Sequence, residues 1–329
     1  MDIRRRQFLH MAAGATALSC RPGIASAQAY PSRPITMSVP YAAGGPLDVM
    51  VRVLAEGLRP ALGQSVVIEN VAGAGGSIGV VRAARAAPDG YTISAGNWAS
   101  HLASGAIYAL PIDLLKDLDP VSLIPFEADL IIARKNFPAN TLRDLIAWLK
   151  ANPDKASAGT SGIGGPSYMS AALFQVKSGT KFQLVPYRGA GPALLDLVAG
   201  QLDLMITGPA IALPHVRDGG VKVYAVTAKE RISVAPDIPT TDEAGLPGFY
   251  FSVWSGLWVP HGTPAPIVAK LAAAVREALA DASVRKRFDA MAIEIPSPDM
   301  LGPAPLAAVQ KAEIETWWPM IKSMNIKGE

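Results

Sequence analysis

The stretch Val66-Val-Ile-Glu-Asn-Val-Ala-Gly-Ala-Gly-Gly-Ser-Ile-Gly-Val80 decides the fold. It reads as a short apolar strand, a glycine-rich loop and a helix start. Glycine has no Cβ, so backbone N–H groups in such a loop can turn toward one point. A helix N-terminus behind them adds free donors and the positive end of a dipole. The pair forms a seat for an anion. The same pattern recurs at Val39-Pro-Tyr-Ala-Ala-Gly-Gly-Pro-Leu-Asp48 and at Ala158-Gly-Thr-Ser-Gly-Ile-Gly-Gly-Pro-Ser167. None of the three loops carries Lys or Arg. Anion seats without side-chain cations, and without an evident nucleophile–base pair, point to holding a molecule rather than transforming it.

Outward from these loops, strands and helices alternate. Strands are expected at Ile35–Val39, Val66–Ile68, Tyr91–Ala95, Leu130–Ala133, Ala156–Gly159, Phe182–Pro186, Leu202–Ile206 and Val221–Ala225. Helices are expected after Gly45-Pro46, from Ser77 to Ala87, from Thr141 through Leu149, from Ser167 to Val176 and up to Ala199. Pro at a first helical position and Asp48 in the first turn favour the first of these, and Thr141-Leu-Arg-Asp144 reads as an N-cap. The alternation predicts parallel sheets covered by helices on both faces. Such sheets take ligands at the carboxyl ends of their strands, where the glycine loops fall. The apolar run Phe249–Val259, with helical segments at 266–280 and 306–324, reads as a late strand that completes the first sheet. The first lobe is then discontinuous (30–125 and 253–329), the second spans 126–252, and two crossings between them act as a hinge.

The first residues are a leader. Arg4-Arg5-Arg6-Gln7-Phe8-Leu9 opens it, a small apolar run follows from Met11 to Leu18, and Ala25-Ser26-Ala27 or Ala27-Gln28-Ala29 provides a cleavage site. This is the pattern of a secretory leader over 1–29, with a twin-arginine start. The apolar run is shorter than the roughly 20 residues a membrane span needs. Cys20, the single cysteine, lies in the leader; a lipid attachment there is the minor reading, so the product is expected in the periplasm without disulfides. The whole chain has 30 basic and 27 acidic residues; the leader removes four and one, leaving 26 of each. The formal charge of +3 therefore belongs to the precursor and gives no case for nucleic acid.

Several segments, in order, resemble the Bug-type (TctC-like) receptors, the periplasmic substrate-binding proteins of tripartite tricarboxylate transporters. They are Pro40-Tyr-Ala-Ala-Gly-Gly-Pro-Leu-Asp48, Glu69-Asn-Val-Ala-Gly-Ala-Gly-Gly-Ser-Ile-Gly79, Ala87-Pro-Asp-Gly-Tyr-Thr92, Pro186-Tyr-Arg-Gly-Ala-Gly-Pro192 with Asp196-Leu-Val-Ala-Gly-Gln-Leu-Asp203, and Trp254-Ser-Gly-Leu-Trp-Val-Pro-His-Gly-Thr-Pro264. The resemblance covers the whole chain after the leader. It implies an α/β type II periplasmic-binding-protein fold: two doubly wound lobes around a ligand cleft, joined by two hinge crossings. It implies a carboxylate ligand held by backbone amides and ordered waters, no cofactor, a monomer, and membrane permease subunits as partners. The residues carried over are Tyr41, Ala43, Gly44 and Gly45 in the first loop, Gly75, Gly76 and Ser77 in the second, and Asn97 after the third strand. Thr160, Ser161, Gly162, Gly165, Tyr187 and Gly208 come from the other lobe. Asn97 stands where members often carry Thr or Ser, Leu47 replaces a frequent small polar residue, and Tyr41 stands where Phe is frequent.

Other readings compete. Gly75-Gly-Ser-Ile-Gly79 matches a hydrolase nucleophile elbow with Ser77 as nucleophile, yet a loop precedes it and the histidine partners on offer, His101, His215 and His261, lie in no recognisable context. A sensor for a signalling partner is the third reading. No dinucleotide fingerprint, phosphate-binding P-loop or metal-ligand spacing is present. Asp48 and Asp203 either touch ligand or pair with nearby donors, and pairing is preferred for Asp48. Arg188 either clamps a second carboxylate or is an exposed loop residue. Trp98, Trp254 and Trp258 either line the cleft mouth or pack, packing being favoured for Trp258.

Overall fold

A computed structural model describes residues 30–323 and 326. The leader and Cys20 lie outside them. Residues up to Ser32 form one unit and residues from Arg33 another; the fold below is that of the second. Among the described residues, ten strands form two five-stranded sheets. The first contains β1 (Ile35–Val39), β2 (Val66–Asn70), β3 (Thr92–Asn97), β4 (Leu118–Ala128) and β10 (Ser252–Pro260), in the order β2-β1-β3-β10-β4. The second contains β5 (Leu130–Arg134), β6 (Ser157–Thr160), β7 (Gln183–Pro186), β8 (Leu204–Thr207) and β9 (Val221–Val226), in the order β7-β6-β8-β5-β9.

The sheets are mixed, not parallel as the alternation predicts. β1 pairs in parallel with β2 and β3, but β10 runs antiparallel to both β3 and β4. In the second sheet β5 runs antiparallel to β8 and β9. The reason is the pair of crossings: β4 and β10 carry the chain out of the first sheet and back, so β10 returns against its neighbours.

β4 is absent from the sequence expectation because Pro120 and Pro125 interrupt it. Proline cannot donate to a ladder, and it is tolerated at a sheet edge; β4 is the edge strand of the first sheet. A single residue, Asp129, separates β4 from β5. The return crossing lies beside it: Asp129 N–H donates to Thr227 Oγ1 at 2.9 Å, and Thr227 Oγ1 donates to the Phe251 carbonyl at 2.7 Å.

Helices cover each sheet. The helix Pro46–Leu62 follows β1, and Leu142–Ala151 begins at Thr141 with a full capping box: Asp144 N–H to Thr141 Oγ1 and Thr141 N–H to Asp144, both 3.1 Å. The second sheet is sandwiched. Phe137, Phe174, Phe182 and Phe249 pack on one face, and Leu194, Leu197, Met205 and Leu213 on the other. Trp98, Trp254 and Trp258 pack in buried clusters, the one around Trp98 including Met169 of the Pro166–Ser178 helix: Trp98 meets Phe251 and Trp317 edge-on, and Trp258 stacks on His101 at 3.9 Å. The cleft-mouth reading of the three tryptophans is thereby replaced by packing. No helix among the described residues is long and apolar enough to cross a membrane.

Candidate functional site

Among the described residues, three helices that directly follow a strand begin with the same dipeptide. Gly45-Pro46 follows β1, Gly165-Pro166 follows β6, and Gly208-Pro209 follows β8. In each, glycine is the N-cap and proline, which has no N–H to waste, takes the first helical position. A fourth helix, Ala190–Val198, follows β7. All four N-termini reach one cavity between the two sheets, of about 40 Å³, lined by Gly45, Pro46, Pro166, Ser167, Ala190 and Gly208 among others. Four positive helix ends aimed at one point favour a negative group there. The lining contains no Lys or Arg among the described residues.

Five of the expected site residues line this cavity: Tyr41, Gly45, Asn97, Ser161 and Gly208. Tyr41 is 5% exposed and donates to Asn97 Oδ1 at 3.0 Å. Ser100 N–H donates to the same oxygen at 3.1 Å, which fixes the Asn97 amide. Ser161 Oγ accepts the Ser167 N–H at 3.3 Å, at the start of the Pro166 helix.

The others sit elsewhere, and for identifiable reasons. Ala43 and Gly44 are exposed, and the Gly44 N–H is donated to Asp48 at 2.9 Å, so that amide is spent inside the loop. Gly75, Gly162 and Tyr187 line a separate opening of about 290 Å³. There Gly75 allows the lobes to touch, and Gly162 allows a close approach within its own lobe. A Cβ on Gly75 would overlap the Ile163 carbonyl, and one on Gly162 would lie 3.1 Å from the Tyr187 carbonyl. Gly75 has φ of 61° and Gly76 of 104°, a region open to glycine at no steric cost. Gly76 is buried against the Tyr41 ring. Gly165 donates to the Gly162 carbonyl at 2.9 Å. The Thr160 side chain donates to the Val185 carbonyl at 3.3 Å, and Tyr187 donates to Asp196 at 2.5 Å, which pushes the phenol up to about 12. Ala42 N–H donates to the Arg188 carbonyl at 3.2 Å and Tyr108 donates to the Ile163 carbonyl at 2.7 Å, so the lobes are in direct contact. The Arg188 side chain is exposed and borders the same separate opening, not the central cavity.

The open alternatives for the acids resolve toward structure. Burial pulls Asp48 up, but two bonds from Arg52, one from Gly44 and one from Asn70 outweigh it and hold the carboxyl below its usual range. Asp203 accepts from Arg134 Nε at 2.8 Å and from Ser157 N–H at 2.9 Å. Ser77 is buried at the start of its helix. None of the three described histidines bonds to it: His101 faces Ser94 and Ser100 and burial lowers its pKa to about 3, His261 meets Asp119, and His215 lies on the Pro209 helix.

The cavity also holds residues the sequence reading missed: Glu127, Asp129, Thr207 and Ser255. Glu127 is 6% and Asp129 3% exposed. Burial pushes Glu127 up to about 8; the Asp129 charge adds to this and the Ala210 amide opposes it. Burial pushes Asp129 up to about 7, opposed by the Ser170 hydroxyl, which stands near without completing a hydrogen bond of normal geometry. The signal was present in Phe126-Glu-Ala-Asp-Leu130. Two acids two residues apart, set between apolar runs, share one face of an extended strand.

The fold is that of two-lobed periplasmic binding proteins. The structure of the periplasmic binding protein BugD superposes with a TM-score of 0.87 at 37% identity, covering 91% of this chain and all of that one. MatC from Rhodopseudomonas palustris, solved with bound malate, gives 0.85 at 40% identity over 89% of this chain and all of that one. An Agrobacterium vitis protein encoded in the TAR-I ttuE–ttuC' intergenic region is 41% identical over 299 residues, 89% of this chain and 85% of that protein. The model of the tripartite tricarboxylate transporter family receptor matches residues 50–326, and the chain belongs to that family.

Proposed function

We propose that this protein captures a small carboxylate-bearing metabolite in the periplasm and presents it, chemically unchanged, to the membrane subunits of a tripartite tricarboxylate transporter. The convergence of four helix N-termini on a cavity without Lys or Arg among its described lining carries this reading. A carboxylate taken from water must recover its hydrogen bonds. The amides at the start of the Pro46 helix, with Asn97 Nδ2 and Ser161 Oγ, supply donors to an anion in the cavity, and charge-assisted bonds of this kind are the stronger ones. The malate bound to MatC supports the ligand class.

About 40 Å³ holds roughly three waters. A ligand of several heavy atoms therefore requires the lobes to part and re-close. We assign this motion to the crossings at Asp129 and at 227–251, placing 33–128 and 252–323 in one lobe and 130–226 in the other. Closure is driven only so far as the ligand contacts the closed state better than the open one. Bonds such as Ala42 N–H to Arg188 carbonyl and Tyr108 to Ile163 carbonyl are the lobe contacts available to it. The Ser77 hydrolase reading lacks support, because its helix-start hydroxyl has no histidine partner among the described residues.

A thermal-shift panel tests the reading. A small carboxylate at about a hundred times its dissociation constant is expected to add about 2.7 kcal/mol of stability. Stabilisation by neutral sugars and by no carboxylate would contradict it.

A further inference from the structure

Glu127, near the end of β4, and Asp129, the single residue between β4 and β5, lie where the chain crosses from one sheet to the other, and both line the same cavity as the helix N-termini. Glu127 Oε2, Asp129 Oδ2 and Thr207 Oγ1 are all buried without a hydrogen-bond partner in the protein. All three residues are more than nine-tenths buried and line that cavity. Unpartnered buried oxygens are rare in folded proteins, and a buried carboxylate without a counter-charge is costly. The two carboxyl oxygens accept hydrogen bonds and the Thr207 hydroxyl both accepts and donates, so a group that donates to the acids completes the site.

The Pro209 helix N-terminus is the second informative feature. A Cβ on Gly208 would overlap the Glu127 carboxylate, so that carboxylate rests directly over this helix start. The position where a ligand's second carboxylate would meet the lobe is filled by the chain's own. On its outer side Glu127 borders a surface opening containing Lys229, Arg231 and Arg285, with Glu230, Asp289 and Glu294. These cations are engaged elsewhere. Arg231 pairs with Glu243, Lys229 stands over the Tyr250 ring, and Arg285 reaches the Leu279 carbonyl.

Building on the carboxylate-receptor reading, we propose that this cavity selects a carboxylate that also bears a cationic nitrogen, seated between Glu127, Asp129 and Thr207, and rejects simple dicarboxylates. The ligand's carboxylate takes the donors around the Pro46 helix, Asn97 and Ser161. Its ammonium group donates to the two acids. A dicarboxylate of the same length would bring a second negative charge to this buried acid pair and hold its protons in place, whereas an ammonium group pairs with the ionised acids. Among the described residues, the one other titratable group lining the cavity is Tyr41, which burial holds above its normal range. Burial raises both acids, so without a cation beside them they hold proton more readily than free carboxyls, and an arriving cation displaces it.

The test uses length-matched pairs on the purified protein: β-alanine against succinate, γ-aminobutyrate against glutarate, δ-aminovalerate against adipate, with α-amino acids as a further set. Calorimetric titration is expected to show at least one amino-carboxylate binding about tenfold or more tighter than its dicarboxylate partner. In buffers of different ionisation heat, that binding is expected to release proton at pH 7. Glu127→Gln combined with Asp129→Asn keeps the shapes and removes the charges. It is expected to cost the amino-carboxylate tenfold or more, abolish the proton release and narrow the gap to the dicarboxylate; its unliganded melting curve reports folding independently. Dicarboxylates binding more tightly than every amino-carboxylate would overturn this inference and leave the carboxylate receptor standing. No carboxylate of either kind binding would overturn the receptor reading, and this inference with it.

Discussion

Asp48 and Glu127 are two carboxylates in equivalent places with opposite surroundings. Each is almost fully buried, at 2% and 6% exposed, and each stands beside a glycine–proline helix start. Asp48 receives four hydrogen bonds, two of them from Arg52, and its pKa is lowered. Glu127 leaves one oxygen without a partner and its pKa is raised. The first acid ties a loop to its helix and to β2. The second is held uncompensated at the point where the lobes meet. Burial alone therefore does not mark a functional acid; burial with unmet hydrogen bonds, facing a cavity, does.

Removing the satisfied acid should do the most damage. Asp48→Ala strands the Gly44 amide and Asn70 and frees Arg52. Because Arg52 is about half exposed, the lost pair counts for less than a fully buried one. A loss of about 3 kcal/mol in denaturant unfolding is expected. The sign with pH is also fixed. A carboxyl held low contributes stability above its ordinary pKa of 3.8 and loses it as pH falls below that, so the wild-type advantage over Asp48→Ala should shrink in acid.

Glu127→Gln should act in the opposite direction. A carboxyl whose folded pKa is raised from 4.5 to about 8 costs stability progressively between those values, because the unfolded chain loses its proton first. The variant is expected to match wild type near pH 4.5 and to gain on it steadily up to pH 8. Unfolding curves across that range decide it; a difference independent of pH would show that Glu127 is satisfied after all.

Gly208→Ala sharpens the comparison with the smallest change. Gly208 has φ of −61°, which alanine accepts, so the new methyl mainly displaces the flexible Glu127 carboxylate from the helix start. A loss of about 1 kcal/mol or less is expected. Its pH profile should lie between those of wild type and Glu127→Gln.

Much of this was legible in the sequence. Glycine loops after apolar runs locate strand ends, and Gly45-Pro46 and Thr141–Asp144 mark helix starts through local chemistry that tertiary contacts do not override. Three kinds of information were hidden. The prolines in Leu118–Ala128 argue against a strand unless its edge position is known. Pro209 and Pro214 likewise obscure a helix whose N-terminus is central to the site. The role of a glycine is not written in its spacing either: Gly45 faces the cavity, whereas Gly75 permits backbone contact between lobes. Strand direction, which turns the expected parallel sheets into mixed ones, depends on where the chain crosses and returns.

The central claim is that amide-rich helix starts from both lobes grip one negatively charged small molecule. Calorimetric titration of the purified protein with a panel of small carboxylic acids and amino acids, against neutral sugars as controls, tests it most directly. Saturable binding of at least one carboxylate at one molecule per chain, weakened by Asn97→Ala, is the expected result. Saturable binding of a neutral sugar, with every carboxylate silent, would contradict it.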